Sequence, residues 1–268
     1  MARPTLLAGD MGGTKTLLAL YDLEGETLIK RHQQRFVSAD WSSLEPMLQA
    51  FVEGRPKDIQ APTHGCIAVA GPVRNRQARI TNLPWQLKEE DLAAAAGMQQ
   101  LELVNDFGVL IYGLPHFGAD QQVVLQEGSQ DDGPLAILGA GTGLGMARGV
   151  RTSNGLMALS SEGGHREFAP RSDEEWQLAC WLKQDLGVDR LSIERVVSGT
   201  GLGHIAHWLL QQPGAQSHPL RSVAEAWRRN MASDLPAQVS LAAEEGDPLM
   251  RHACLLYTSD AADESSSG

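Results

Sequence analysis

Short apolar runs broken by glycine or charged turns dominate the first half of the chain, and apolar residues at helical spacing dominate the second. Leu6-Leu7-Ala8 and Thr16 to Tyr21 flank a polar, glycine-bearing run, and strand signals continue through about residue 32 with a turn at Asp22-Leu23-Glu24-Gly25. Ser42 and Ser43 can cap a helix whose apolar stripe holds Leu44, Met47, Leu48 and Phe51. His64 to Ala70 reads as a buried strand ending at Gly71-Pro72, and Lys88 to Ala96 is helical by propensity. Leu101 to Val104 is a strand that delivers Asn105-Asp106 at its C-terminal end, with a helix following through about Leu114.

After Pro115 a second set of strands is expected at Gln122 to Leu125, Leu135 to Leu138 and Leu144 to Val150. From Ser172 the pattern turns helical. Asp173, Glu174 and Glu175 sit where a helix dipole favours negative charge, and Trp176, Ala179, Cys180 and Lys183 follow at helical spacing. The polar loop Gln211 to Pro219 joins two further helices. This alternation predicts an α/β protein of two lobes, residues 1–115 and 116–253.

One motif occurs twice, each time straight after an apolar strand. The first copy is Gly9-Asp10-Met11-Gly12-Gly13-Thr14-Lys15, and the second is Gly139-Ala140-Gly141-Thr142-Gly143-Leu144-Gly145. Glycines let the backbone turn tightly and bring N–H groups close to anionic oxygens, and a Thr hydroxyl adds a donor. Each run leads directly into another apolar stretch, so both are expected at hairpin tips rather than at strand-to-helix turns. Two such hairpins suggest two related lobes gripping one polyphosphate. A Walker loop is excluded, because Thr14 stands where its second glycine belongs. The dinucleotide fingerprint fails as well, with Leu144 in place of its third glycine.

The length of 268 residues, with 42% hydrophobic and 21% charged, is enough for a buried core in each lobe. The net charge of −11 opposes nucleic acid and anionic membrane as partners, and leaves a nucleotide dependent on loop N–H groups, a lysine and a divalent cation. Cys66, Cys180 and Cys254 are widely spaced and offer no zinc framework, which suits a reducing cytosol. With no signal-peptide core and no apolar run of membrane-spanning length, a cytoplasmic protein is expected.

Both loops, together with Asn105-Asp106-Phe107, Glu162-Gly163-Gly164-His165 and Glu194-Arg195-Val196-Val197-Ser198-Gly199, make the chain resemble the bacterial glucokinase family. This is the branch without a zinc motif in the hexokinase, actin and heat-shock-ATPase superfamily. The resemblance runs from Leu6 to about Ala253. It implies an actin-like (ribonuclease H-like) fold with an interlobe cleft, added helices in the second lobe, and entry of glucose into glycolysis as the role. ATP and glucose would be substrates, with Mg²⁺ as cofactor; a homodimer is compatible with it.

On that resemblance Asp106 is the general base that takes the proton of a sugar hydroxyl. Local sequence alone allows Asn105-Asp106 to be simply a helix cap, and the two roles can coexist. Glu162, His165, Glu194, Asn105 and Asp106 would contact glucose hydroxyls, since carboxylates accept from vicinal hydroxyls and an imidazole can donate or accept. Taken locally, Glu162 is equally a turn residue, His165 a surface histidine and Glu194 a helix-surface glutamate. Gly9, Asp10, Met11, Gly12, Gly13 and Thr14, with Gly141 and Thr142, would hold the phosphates, and Asp10 would hold Mg²⁺ through water. Lys15 stands where many relatives carry Asn, and Thr81-Asn82-Leu83-Pro84-Trp85 resembles a sugar-site loop, although Trp85 also suits a core. His204 and His207 have helical metal spacing but no matching carboxylate or cysteine, and read as surface histidines.

Two rivals share the fold, a sugar-binding regulator and a pseudokinase that binds glucose without turning over ATP. The regulator would carry a helix-turn-helix and a Cys-rich zinc loop, and neither pattern is visible in the sequence. The tail departs from the pattern of the rest. Residues Cys254 to Glu264 back-translate to a string that resembles a transposon end joined to a library adapter. Residues 254–268 are therefore expected to be non-native, with the native sequence stopping near Ala253 and the true C-terminus missing. The family's adenosine-binding Gly-Gly segment and its final helix are not in this sequence.

Overall fold

The computed structural model describes residues 3–25, 27–80, 83–128, 133–230 and 234–264. The predicted loop at Thr81-Asn82 and the last residues of the tail lie outside them. The chain divides into two compact units, Met1–Asp131 with Asn154–Ser160, and Asp132–Ser153 with Ser161–Gly268.

The first unit is built on a five-stranded sheet. β1 (Thr5–Met11) and β2 (Lys15–Glu24) form the expected hairpin, and β3 (Thr27–Val37) pairs antiparallel to β2. α1 (Leu44–Glu53) buries Leu44, Met47, Leu48 and Phe51, the stripe read from its spacing. β4 (His64–Val69) lies parallel to β1. A small sheet follows, β5 (Val73–Arg74), β6 (Gln77–Arg79) and β7 (Gln86–Lys88), leading into α2 (Glu89–Ala95). β8 (Gln100–Asn105) completes the main sheet parallel to β4, and α3 (Asp106–Gly113) starts at once. The order is β3-β2-β1-β4-β8.

Parallel strands need apolar cover, and α1 and α2 supply it on one face. The core there joins Leu7, Leu18, Leu20 and Ile67 of the sheet to Met47 and Phe51 of α1, Leu92 of α2 and Leu101 of β8. Trp85 is 4% exposed and belongs to this core, one of the two roles its sequence context allowed. On the sheet's other face Leu6, Tyr21, Leu28 and Cys66 line an open groove. Burial, with Glu102 and Glu89 nearby, pushes the Cys66 thiol above its ordinary pKa.

The second unit opens with the other expected hairpin, β9 (Leu135–Ala140) and β10 (Leu144–Thr152), paired antiparallel. β11 (Gly155–Ser161) follows in the chain. Among the described residues five helices follow: α4 (Asp173–Leu186), α5 (Gly199–Leu210), α6 (Arg221–Asn230), α7 (Leu235–Glu245) and α8 (Pro248–Glu264). α5 is buried along almost its whole length, and Leu178, Leu182, Trp227, Val239, Met250, Ala253 and Leu256 pack around it in a second core. None of the described helices is long and apolar enough to cross a membrane.

The helix read from Ser172 forms as α4, with Leu178, Ala179 and Leu182 turned inward and Trp176 63% exposed. Two expectations need correction. Gln122 to Leu125 is not a strand; Val123 and Leu125 are 83% and 96% exposed and no ladder takes up their backbone. His204 and His207 are not surface residues, since they are only 2% and 4% exposed on α5. His204 donates from Nδ1 to the Arg195 carbonyl at 3.0 Å and meets Trp227 edge-on, and His207 meets Trp181. The apolar residues on either side of each histidine carry α5 through the core, and the imidazoles go with it.

Candidate active site

In the first unit the sheet register gathers the predicted residues at one edge. Met11 is paired with Val69, and Val69 with Asn105, so the first glycine loop and Asn105-Asp106 lie at the C-terminal ends of the parallel strands β1, β4 and β8. Ligands of open α/β sheets bind at that edge. Asn105 is the cap of α3: its Oδ1 accepts from the N–H groups of Phe107 and Gly108 at 3.1 and 2.9 Å. Its amide donates to the Gly71 carbonyl and to Asp106 Oδ1, both at 3.0 Å. Asp106 is half-buried and also accepts from the Phe107 N–H at 3.0 Å. Because Asn105 does the capping, Asp106 stands in the first helical turn with its carboxylate held from two sides.

The first loop closes tightly, with the Gly12 N–H donating to the Lys15 carbonyl at 3.0 Å. Asp10, Thr14 and Lys15 are exposed around it. Met11 is 1% exposed and its side chain belongs to the core, so only its backbone is available to a ligand. Gly9 has a packing reason to be glycine, because a Cβ there would lie 2.9 Å from Ile67 Cγ1. A single exposed carboxylate suits Mg²⁺, which keeps most of its waters and takes one or two protein carboxylates beside substrate phosphates. Among the described residues no group of three or more His, Cys, Asp or Glu forms a closed metal cage.

In the second unit a backbone ladder brings two distant turns together. Ile193 donates to the Arg166 carbonyl and Phe168 to the Leu191 carbonyl, each at 2.8 Å. The turn Gly163–His165 therefore sits beside the turn Ile193–Arg195. His165 Nδ1 lies 3.2 Å from Glu194 Oε1, and its Nε2 lies 3.5 Å from Glu162 Oε2. Glu194 is the least exposed of the three, at 23% of its side chain. Gly164 lies hard against the second glycine loop: a Cβ on it would come within 2.3 Å of the Leu144 carbonyl. A Cβ on Gly143 would come within 3.0 Å of Glu194 Oε2. The carboxylate–imidazole cluster and the second glycine loop are thus one packed group.

Three residues of this framework escaped sequence reasoning. Ser38 reaches the first loop and Thr200 the second, and Ser198 braces the turn that carries Glu194. Ser198 lies in the Glu194–Gly199 motif with no role read from it, Thr200 one residue beyond that motif, and Ser38 in no motif at all.

The mixed α/β fold, with a glycine hairpin in each unit and an aspartate at the end of a parallel strand, is of the actin-like sugar-kinase type. A family profile described as Glucokinase matches residues 7–263. A glucokinase from Synechocystis is 39% identical over 263 residues, which cover 91% of this chain and 73% of that protein. One from Nostoc sp. is 37% identical, covering 94% and 76%. Among solved structures, the glucokinase of an Antarctic psychrotroph superposes with a TM-score of 0.75 at 28% identity, covering 99% of this chain and 80% of that one. The chain belongs to the glucokinase family.

Proposed function

We infer that the protein is an ATP-dependent glucokinase that transfers the γ-phosphoryl group to the 6-hydroxyl of D-glucose, giving glucose 6-phosphate and ADP. The observation that carries this reading is the contact of Glu194, paired with His165, against Gly143 of a phosphate loop. A group suited to sugar hydroxyls adjoins a group suited to polyphosphate. Family membership at 39% identity fixes glucose as the hexose the reading names.

Asp106 accepts the proton of the 6-hydroxyl as that oxygen attacks the γ-phosphorus and the bond to the β,γ-bridging oxygen breaks. A loose transition state places little charge on the attacking oxygen early, so a carboxylate of ordinary basicity serves. Asn105, Glu162, His165 and Glu194 orient the sugar, and Gly9 to Thr14 with Gly141 and Thr142 hold the phosphates. Asp10 would hold Mg²⁺ through water, and that ion would supply charge neutralisation to the transferring phosphate. Residues 1–115 would then furnish the base and 116–253 most of the sugar contacts. The chain falls in the branch without a zinc motif, in keeping with its three scattered cysteines, and works in the cytoplasm. Residues 254–268 are proposed to be foreign on one back-translation alone, although the Glucokinase profile runs to residue 263 and Leu256 packs in the second core. Resequencing across codon 254 from unfragmented DNA tests that point: different residues after Ala253 support it and the same residues overturn it.

The test of function is hexose phosphorylation with MgATP, read by coupling glucose 6-phosphate to NADP reduction. Turnover with glucose, and less with mannose or fructose, is expected. Glucose binding by calorimetry without turnover would instead favour the sugar-binding pseudokinase or regulator, provided resequencing returns the same residues after Ala253.

A further inference from the structure

Each phosphate loop is pinned by a hydroxyl that reaches it from outside the loop. In the first unit Ser38 donates from Oγ to the Gly12 carbonyl at 3.3 Å. Thr16 Oγ1 lies 3.1 Å from the same Oγ, and the Ser38 N–H donates to the Thr14 carbonyl at 3.0 Å. Ser38 and Thr16 are both fully buried. In the second unit Thr200 donates from Oγ1 to the Thr142 carbonyl at 2.9 Å, and the Gly199 N–H donates to the Gly141 carbonyl at 2.7 Å. Ser198, also fully buried, steadies that segment by donating to the Glu194 carbonyl at 2.6 Å and accepting from the Gly201 N–H at 2.9 Å.

The consequence follows from the planarity of the peptide. In a trans peptide the carbonyl of one residue and the N–H of the next point in opposite directions. Fixing the Gly12 carbonyl on Ser38 therefore aims the Gly13 N–H away from Ser38. Fixing the Gly141 and Thr142 carbonyls on α5 aims the N–H groups of Thr142 and Gly143 away from α5, as a pair. Successive N–H groups turned to one side form an anion-binding concavity.

We propose that Ser38 and Thr200 are positioning residues for the nucleotide. Each acts through a loop carbonyl, holding the next N–H in the direction that meets phosphate oxygen. The inference rests on the glucokinase reading, because it takes the two loops to be the polyphosphate site.

The experiment compares wild type with Thr200→Val, Thr200→Ser and Ser38→Ala, measuring ADP binding by calorimetry, the KM values for ATP and glucose, and the thermal midpoint. Thr200→Val keeps the shape and loses the hydroxyl. Loss of one hydrogen bond that orients a donor is expected to weaken ADP and raise the KM for ATP by about three- to tenfold. The KM for glucose should stay within about twofold, since Thr200 makes no bond to Glu194, His165 or Glu162. Thr200→Ser restores the hydroxyl and should restore nucleotide affinity. Ser38→Ala should act in the same direction as Thr200→Val. The proposal falls if Thr200→Val binds ADP as wild type does. It falls too if ADP and glucose weaken together with the melting point and Ser gives no rescue, since the residue is then merely structural. A wild type that turns over hexose beside an unaffected Thr200→Val overturns the positioning role alone. A wild type with verified residues after Ala253 that neither binds ADP nor phosphorylates any hexose overturns the glucokinase reading, and the positioning role with it.

Discussion

Gly143 and Glu194 are in such close approach that a single added methyl on the glycine would stand 3.0 Å from the carboxylate oxygen Oε2. One belongs to the loop after β9, the other to the short turn Ile193–Arg195 that precedes α5. Glu194 also meets His165, so the second glycine loop and the carboxylate–imidazole cluster share a boundary.

Gly143→Ala is the direct probe of that boundary. The Cβ forces the Glu194 carboxylate to shift by a few tenths of an ångström, and a misplaced orienting group costs rate out of proportion to its displacement. An increase of about three- to tenfold in the KM for glucose is expected. Steady-state kinetics at saturating ATP check it, and an unchanged KM would mean that Glu194 relaxes without cost.

Asp106→Asn tests the proposed catalytic role of this residue apart from its structural one. Asn105 supplies the cap of α3, and an Asn at 106 can still accept from the Phe107 N–H, so the fold should hold. Loss of a general base is expected to lower kcat by about 10²- to 10⁴-fold with little change in the KM for glucose. Single-turnover assays and a melting curve, run together, separate lost chemistry from lost structure.

Gly164→Ala should act on stability before anything else. The nearest neighbour of the added Cβ is the Leu144 backbone carbonyl at 2.3 Å, which cannot turn aside as a side chain can. Overpacking of this kind costs about 1–3 kcal/mol. Chemical denaturation would show a lower midpoint at unchanged slope.

Acidification should destabilise the second unit through His204 and His207. Burial, opposed at His204 by the bond to the Arg195 carbonyl, holds the pKa of each below its ordinary 6.5. Below pH 6.5 the unfolded chain therefore binds protons that the folded chain refuses, so stability is full above that value and falls as pH drops beneath it. Denaturation midpoints at pH 7.5 and 5.5 check the sign. His207→Phe should flatten the dependence, whereas a midpoint that rises on acidification would contradict the assigned burial.

Local order was legible in the sequence because its causes are local. An apolar run on each side of a glycine loop makes a hairpin wherever it occurs, and both hairpins formed; the stripe Leu44, Met47, Leu48, Phe51 faces a core by its spacing alone. Asn105-Asp106 could be placed at a strand end because strand and helix signals meet there. The same reasoning failed at Gln122 to Leu125, where β-prone residues found no partner strand, and at His204 and His207, where polarity suggested a surface.

What only the tertiary structure decided is which distant residues touch. The hydrogen bond from Thr200 to Thr142 spans 58 positions and that from Ser38 to Gly12 spans 26. No periodicity of 2 or 3.6 residues encodes such a pairing. The pairing of Glu194 with His165 arises from a backbone ladder between two turns far apart in the chain, and the approach of Gly143 to Glu194 accompanies the bond from the Gly199 N–H to the Gly141 carbonyl. The sequence by itself determined the loops, the strand-end aspartate and the helices of the second unit. Packing of remote segments decided how the loops are held and what their glycines rest against, because close contact in a folded core is a property of three-dimensional volume rather than of neighbouring residues.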